Sequence, residues 1–250
     1  MSQYYNANRK RNLYSPQDKA FRLSRSKIDL FLNCPRCFYL DRKLGVAQPP
    51  GYPFSLNSAV DTLLKKEFDI HRAKGTRHPF MEERGIEALP YAHEKLDEWR
   101  DSLRRGITAP LEGTNLLITG GVDDVWRHEN GDLHIVDYKA TSKDGEVSLD
   151  APWQIGYKRQ MEIYQWLFRQ NNFNVSNTGY FVYCNGDTSK DAFGATLSFA
   201  IKIIPYEGND AWVKGVIMQA YQCLNEAKPP QANADCDYCS YRKAAQEVEV

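Results

Sequence analysis

Three side chains in the middle of this 250-residue sequence have types and spacing suited to metal-assisted hydrolysis: Asp123, Asp137 and Lys139. Asp137 and Lys139 lie two apart in Leu133-His134-Ile135-Val136-Asp137-Tyr138-Lys139-Ala140, which reads as a strand, so both project from one face. A charge on an otherwise apolar strand needs a partner or a task, because burying it unpaired is costly. The preceding run, Leu116 to Trp126, also reads as a strand and offers Asp123 and Asp124, which point to opposite faces. Two carboxylates facing each other across a strand pair repel unless a cation lies between them. A hard divalent ion such as magnesium or manganese suits oxygen-only ligands. A lysine beside it can orient water or stabilise charge developing on a phosphate. The same spacing also fits a surface salt-bridge cluster.

Which aspartate meets Asp137 depends on the hairpin turn. A two-residue turn at Asn130-Gly131 pairs Glu129 with Asp132 and puts Asp124 opposite Asp137. A three-residue loop, Glu129-Asn130-Gly131, pairs His128 with Asp132 and puts Asp123 there. Glycine in last place, where a G1 bulge wants a left-handed residue, favours the second.

The elements that must position these residues are legible as changes of period. A helix opens at Ser24-Arg25-Ser26-Lys27, carries Ile28, Phe31 and Leu32 at helical spacing, and runs into Cys34-Pro35-Arg36-Cys37. Residues 48–53 are a break. Further helices are expected over 56–74, 91–105, 153–170 and 209–227, with a polar segment at 75–90 and strands near 178–184 and 195–205. The order helix, strand, strand, helix, strand, strand, helix implies an α/β fold with a mixed sheet flanked by helices.

Composition is that of a globular protein, with 42% hydrophobic and 26% charged residues. No apolar run is long enough for a membrane span, and the polar, basic N-terminus lacks the apolar stretch of a secretory signal, so a cytoplasmic protein is expected. The zero net charge argues against a protein that coats duplex by bulk charge. The charge is uneven, however: residues 1–50 hold ten basic and three acidic side chains, a +7 balanced by −7 in the rest. That stretch could meet phosphates; equally, residues 1–22 read as a flexible, solvated basic arm. The aromatic residues could stack on single strands, although most read as core.

Around the hairpin the sequence resembles the PD-(D/E)XK nuclease superfamily, through Gly120-Gly121-Val122-Asp123 and Ile135-Val136-Asp137-Tyr138-Lys139. It is similar to the RecB-like branch, which includes CRISPR-associated RecB-family exonucleases, through Ser24-x-Ser26-x-Ile28 with Cys34-Pro35-Arg36, Gln160-Met161-Glu162-Ile163-Tyr164, and Cys236-Asp237-Tyr238-Cys239. The resemblance implies a restriction-endonuclease-like domain over 23–250 with helical additions. Its expected activity is hydrolysis of DNA with magnesium or manganese, by exonuclease more than endonuclease action. The implied substrates are single strands or ends, and the implied partners a helicase or another repair or CRISPR protein. By resemblance, Asp123, Asp137 and the Tyr138 carbonyl hold metal, Lys139 positions water, and Gln160 and Tyr164 approach the substrate or the edge of the site. The branch carries a histidine ligand in a Gly-x-x-x-His setting before the hairpin. Here the corresponding stretch is Asn57-Ser58-Ala59-Val60-Asp61, so Asp61 stands in the histidine's place; His71 does not fit the spacing. Aspartate is a sound magnesium ligand, but the change also fits a module that keeps the fold for DNA binding or assembly without catalysis.

Four of the six cysteines form two Cys-x-x-Cys pairs, Cys34/Cys37 and Cys236/Cys239. In the RecB-like branch such cysteines hold a 4Fe–4S cluster joining the chain ends, here 24–40 and 228–242. The branch's usual last cysteine is missing near Ala245, and Cys37 could complete the set. Two such pairs also suit zinc, or simply burial without metal. Cys184 and Cys223 read as core. A zinc-stapled interaction protein with an incidental Asp-x-Lys hairpin is a further reading.

Overall fold

The structure, a computed structural model, describes residues 12–49, 51 and 55–249. Its elements in order are β1 (Phe21–Ser24), α1 (Arg25–Asn33), α2 (Pro35–Arg42), α3 (Ser55–Lys74), α4 (Pro79–Glu82), β2 (Ala88–Pro90) and α5 (Leu96–Arg100). There follow β3 (Ile107–Pro110), β4 (Leu116–Gly120), β5 (Asp124–His128), β6 (Leu133–Thr141), α6 (Ile155–Gln170), β7 (Thr178–Gly186), β8 (Phe199–Glu207), α7 (Val213–Asn225) and α8 (Asp237–Val248). The single domain expected over 23–250 is built as two compact units of interleaved segments. One draws on Met1–Tyr52, Thr108–Thr119 and Ala211–Val250, the other on Pro53–Ile107 and Gly120–Asp210.

The first unit holds a three-stranded sheet, β1-β4-β3, with β1 parallel to β4, together with α1, α2, α7 and α8. The helix that runs into Cys34 ends at Asn33, and a second one starts at Pro35. Cys34 takes an extended conformation (φ −162°, ψ 107°), and Pro35 starts α2 at a position where its missing N–H costs nothing. Of the expected flexible arm, residues 1–11 lie outside the described residues. The rest does not behave as an arm. Tyr14 is buried, its N–H donates to the Arg42 carbonyl (2.7 Å) and its hydroxyl to Asn225 (3.1 Å), and β1 begins at Phe21.

The second unit is a five-stranded mixed sheet, β2-β5-β6-β7-β8, flanked by helices. Among the described strand pairs of this sheet, β6–β7 is parallel and joined through α6, and the others are antiparallel. Val136 and Tyr138 of β6 pack with Val60, Leu64 and Phe68 of α3. Because side chains alternate, Asp137 and Lys139 turn to the other face, toward α6. The strand expected over 116–126 is divided between the two sheets, ending as β4 at Gly120 and restarting as β5 at Asp124. The glycines at the break permit close approach: a Cβ on Gly120 would lie 2.6 Å from the Tyr164 ring, and one on Gly121 2.3 Å from Ser102. The helix expected over 91–105 shrinks to five residues, because Tyr91 is drawn into strand pairing, its N–H donating to Val125 (2.9 Å). β1, β2, β3 and α4 are too short for period counting to find.

Asp41 in α2 is fully buried between Arg42 (2.8 Å) and Lys27 (2.6 Å). Burial pushes its carboxyl up, but Arg42 and then Lys27 outweigh that and hold it below the ordinary carboxylate range. Its contribution to stability is therefore present above about pH 4 and is lost as pH falls through the lowered folded value. Urea denaturation across a pH series should show Asp41→Asn costing about 3 kcal/mol at neutral pH. It should also flatten the acid-side loss; an unchanged acid slope would show that Asp41 is not its source.

Candidate active site

The site forms where β6 outruns β5. The hairpin takes the three-residue form: His128 N–H donates to the Asp132 carbonyl (2.9 Å), and Gly131 sits at φ +95°. The register then pairs Arg127 with Leu133 and Asp124 with Val136, so Asp123 falls opposite Asp137 just beyond the ladder. From Asp137 to Thr141, β6 keeps β7 on one side; among the described residues no strand covers its other edge. Side chains cap that edge instead. Asp123 Oδ2 accepts from the Tyr138 N–H (2.9 Å), and Asn57 Nδ2 donates to the Ala140 carbonyl (2.8 Å). Main-chain N–H and C=O of one strand residue point to the same side, so the Tyr138 carbonyl faces this open edge too.

Helices supply the remaining contacts. From α6, Gln160 Nε2 donates to Asp137 Oδ1 (2.6 Å), while Lys139 contacts Oδ2 of the same fully buried carboxylate. The Lys139 ammonium also lies 4.5 Å from the Tyr157 ring centre. From α3, Lys65 Nζ bridges Asp61 (2.8 Å) and Asp123 (3.3 Å). A cleft of about 340 Å³ is lined by Asn57, Asp61, Asp123, Tyr138, Lys139 and Tyr157, with Asp137 buried behind Lys139 and not part of its lining. Burial pushes the Lys139 ammonium down, but Asp137 and Asp123 outweigh it and raise its pKa; Asp123 and Asp61 do the same for Lys65. The Asp61 carboxyl is pushed up by burial and then by the charge of Asp123. The available donors are carboxylate and carbonyl oxygens, a set that fits a hard divalent ion.

Asp61, Asp123, Asp137, Tyr138 and Lys139 meet around one edge of β6. Gln160 reaches Asp137, whereas Tyr164 is buried, its hydroxyl 3.4 Å from Gln160 Nε2 and its ring against Gly120. His71 is elsewhere, 3.1 Å from the Thr76 hydroxyl. Lys65, Tyr157 and Asn57 were not anticipated. Lys65 alone had a readable signal, since it lies four residues after Asp61 on the same helix face.

Asp124 serves the opposite face. It is fully buried and bound by Arg72 (2.5 Å), Arg100 (3.2 Å) and the Tyr138 hydroxyl (2.7 Å). Asp69 holds both arginines from the other side, at 3.0 Å to Arg72 and 2.9 Å to Arg100. Arg100 Nε also donates to the Asp123 carbonyl (3.0 Å), tying this lattice to the backbone of the site. Burial, then Asp124, pushes the Tyr138 phenol well up, so it stays a neutral donor.

In the other unit Cys34, Cys37, Cys236 and Cys239 converge, with all four sulfurs within 4.8 Å of one another. Burial pushes the Cys34 thiol up, but the backbone N–H groups of Cys37 and Asn233 and the neighbouring thiols bring it down to about 7. Cys184 is buried in β7, and Cys223 is buried in α7 with its thiol 3.9 Å from the Pro35 carbonyl.

A family model described as the PD-(D/E)XK nuclease superfamily matches residues 22–244. The chain belongs to that superfamily, and the mixed sheet flanked by helices is its fold. No curated protein matches the sequence. Among solved structures, the one titled "Crystal structure of SSO0001" is similar at 17% identity, over 92% of this chain and 87% of that chain, with a TM-score of 0.37; so loose a likeness carries no argument. Among the described residues no helix is long and apolar enough to cross a membrane.

The two adjacent aspartates should separate cleanly in thermal and urea unfolding. Asp124→Ala removes the buried one of the two carboxylates that Arg72 and Arg100 share, together with the acceptor of the Tyr138 hydroxyl, and should cost about 3–5 kcal/mol. Asp123→Asn, at a partly exposed position that keeps an acceptor for Tyr138, should cost less than about 1 kcal/mol. Equal losses would show that the two carboxylates do not divide structure and site between them.

Proposed function

We propose that this chain is a metal-dependent nuclease that hydrolyses DNA phosphodiester bonds with magnesium or manganese. The observation that carries the reading is the hairpin register, which sets Asp123 against Asp137 at an open strand edge with Lys139 beside them. Asp123, Asp137 and the Tyr138 carbonyl would hold the ion, with Asp61 as a further oxygen ligand. A bound ion of this kind supplies Lewis acidity and a water of lowered pKa. Gln160 fixes the Asp137 carboxylate by donating to its Oδ1. Lys139 places a positive charge where the phosphate would acquire negative charge. Tyr164 is a positioning residue for Gln160 on this reading. The flanking motifs favour the RecB-like branch, and with it exonuclease action on single strands or ends, working beside a helicase or another repair or CRISPR protein.

A non-catalytic nuclease-fold module has one observation in its favour. The Lys65 ammonium bridges Asp61 and Asp123, the space a cation between those carboxylates would share. On the catalytic reading Lys65 competes with the ion for these oxygens.

Incubation with labelled single- and double-stranded DNA and manganese should give cleavage that chelator abolishes. Asp137→Ala should remove it, and Lys139→Ala should slow it by about 10²-fold or more. Intact DNA with the wild-type protein would favour the module; equal cutting by Asp137→Ala would mark a contaminant. Within an active protein, Lys65→Ala should lower the manganese concentration giving half-maximal cleavage. An unchanged or higher requirement would contradict the competition.

A further inference from the structure

We propose that Cys34, Cys37, Cys236 and Cys239 hold a single tetrahedral zinc ion, and not the iron–sulfur cluster that the resemblance implies. The four sulfurs lie too close together for a cluster. The sulfurs of Cys34 and Cys239 are 3.9 Å apart, those of Cys37 and Cys236 3.6 Å, and those of Cys37 and Cys239 3.6 Å. Zinc–thiolate bonds of about 2.3 Å in a tetrahedron put the sulfurs about 3.8 Å apart. In a 4Fe–4S cluster each thiolate caps its own iron, so the sulfurs stand apart by the body of the cube plus their bonds. A cage whose four sulfurs all lie within 4.8 Å has room at its centre for one ion and none for eight atoms.

The surroundings fit a closed structural site. Cys34 and Cys236 are the residues immediately before α2 and α8, and Cys37 and Cys239 lie in the first turns of those helices. Both helices thus direct their positive ends at the thiolates, which favours negative charge there. Cys34, Cys37 and Cys236 are buried and pack with Leu30 and Ala232. Asn233 donates to the carbonyls of Asn33 (2.7 Å) and Leu32 (3.4 Å), clipping the loop before α8 to the end of α1. Binding would convert four thiols to thiolates and release their protons. With four protein ligands there is no open position for a substrate, so the ion ties together segments 199 residues apart and does no chemistry. This inference is independent of the nuclease reading.

The test is metal analysis of the full chain, expressed with iron and zinc both supplied and purified without oxygen. We expect about one zinc per chain, no acid-labile sulfide and no visible charge-transfer absorption. Cys37→Ser and Cys239→Ser should each lower zinc retention after dialysis by about tenfold or more, while Cys184→Ala retains it. Should the serine variants fail to fold, wild-type protein stripped by chelator under reductant and titrated with cobalt(II) should give the intense visible spectrum of a tetrahedral tetrathiolate, displaced by zinc. About four irons with labile sulfide per chain would overturn the proposal. So would a metal-free chain whose stripped form takes up neither zinc nor cobalt.

Discussion

The second unit sets two carboxylates where they repel unless positive charge is near. Asp123 and Asp137 are brought opposite each other at the end of a hairpin ladder, an arrangement that is unfavourable unless positive charge is supplied. Two lysines supply positive charge: Lys139 from β6 itself and Lys65 from α3, each contacting one of the pair. Both lysines bind their protons more strongly because of those neighbours. The price in desolvation is reduced because Asp123 remains partly exposed, whereas Asp137, fully buried, receives Gln160 as well. The site is thus stable as a protein structure yet keeps oxygen donors at an open edge.

The backbone explains why the edge is open. β5 starts only at Asp124, because the chain must first leave the other sheet through Gly120-Gly121, where there is space for no side chain. β6 is longer and continues against β7. The length mismatch exposes the β5-facing edge of β6 over 137–141, and Asp123, the residue immediately before β5, bends back to cap it through Tyr138. Behind it, Arg100 grips both the Asp123 carbonyl and buried Asp124. The aspartate at the open edge and the one bound in the arginine lattice are therefore adjacent in sequence, and their side chains point to opposite faces.

Much of this was legible in the residues. The apolar strand carrying Asp137 and Lys139, the glycine-ended turn and the helix bearing Gln160 all follow from period and turn chemistry, and glycine as the turn's third residue favours Asp123 over Asp124 while leaving the two-residue turn open. What escaped the sequence has two physical causes. Short elements such as β1 and β2 owe their form to pairing with distant strands, and α5 is short because Tyr91 joins β5 instead. Lys65, Tyr157 and Asn57 come from helices whose approach to the sheet is set by packing, which no local pattern encodes. The break at Cys34 shows the opposite case, where proline marked the boundary but the helical run of apolar residues concealed it.

The central claim is that the Asp123–Asp137 pair holds a divalent ion in preference to its lysine partners. Titration of the protein with manganese, followed by calorimetry and by electron paramagnetic resonance of the unbound ion, measures this without DNA or turnover. The account predicts saturable binding that Asp137→Ala and Asp123→Ala each weaken by about tenfold or more and that Asp132→Ala, at the hairpin turn, leaves unchanged. Absence of saturable binding in the wild type, or binding indifferent to both site variants, would contradict it.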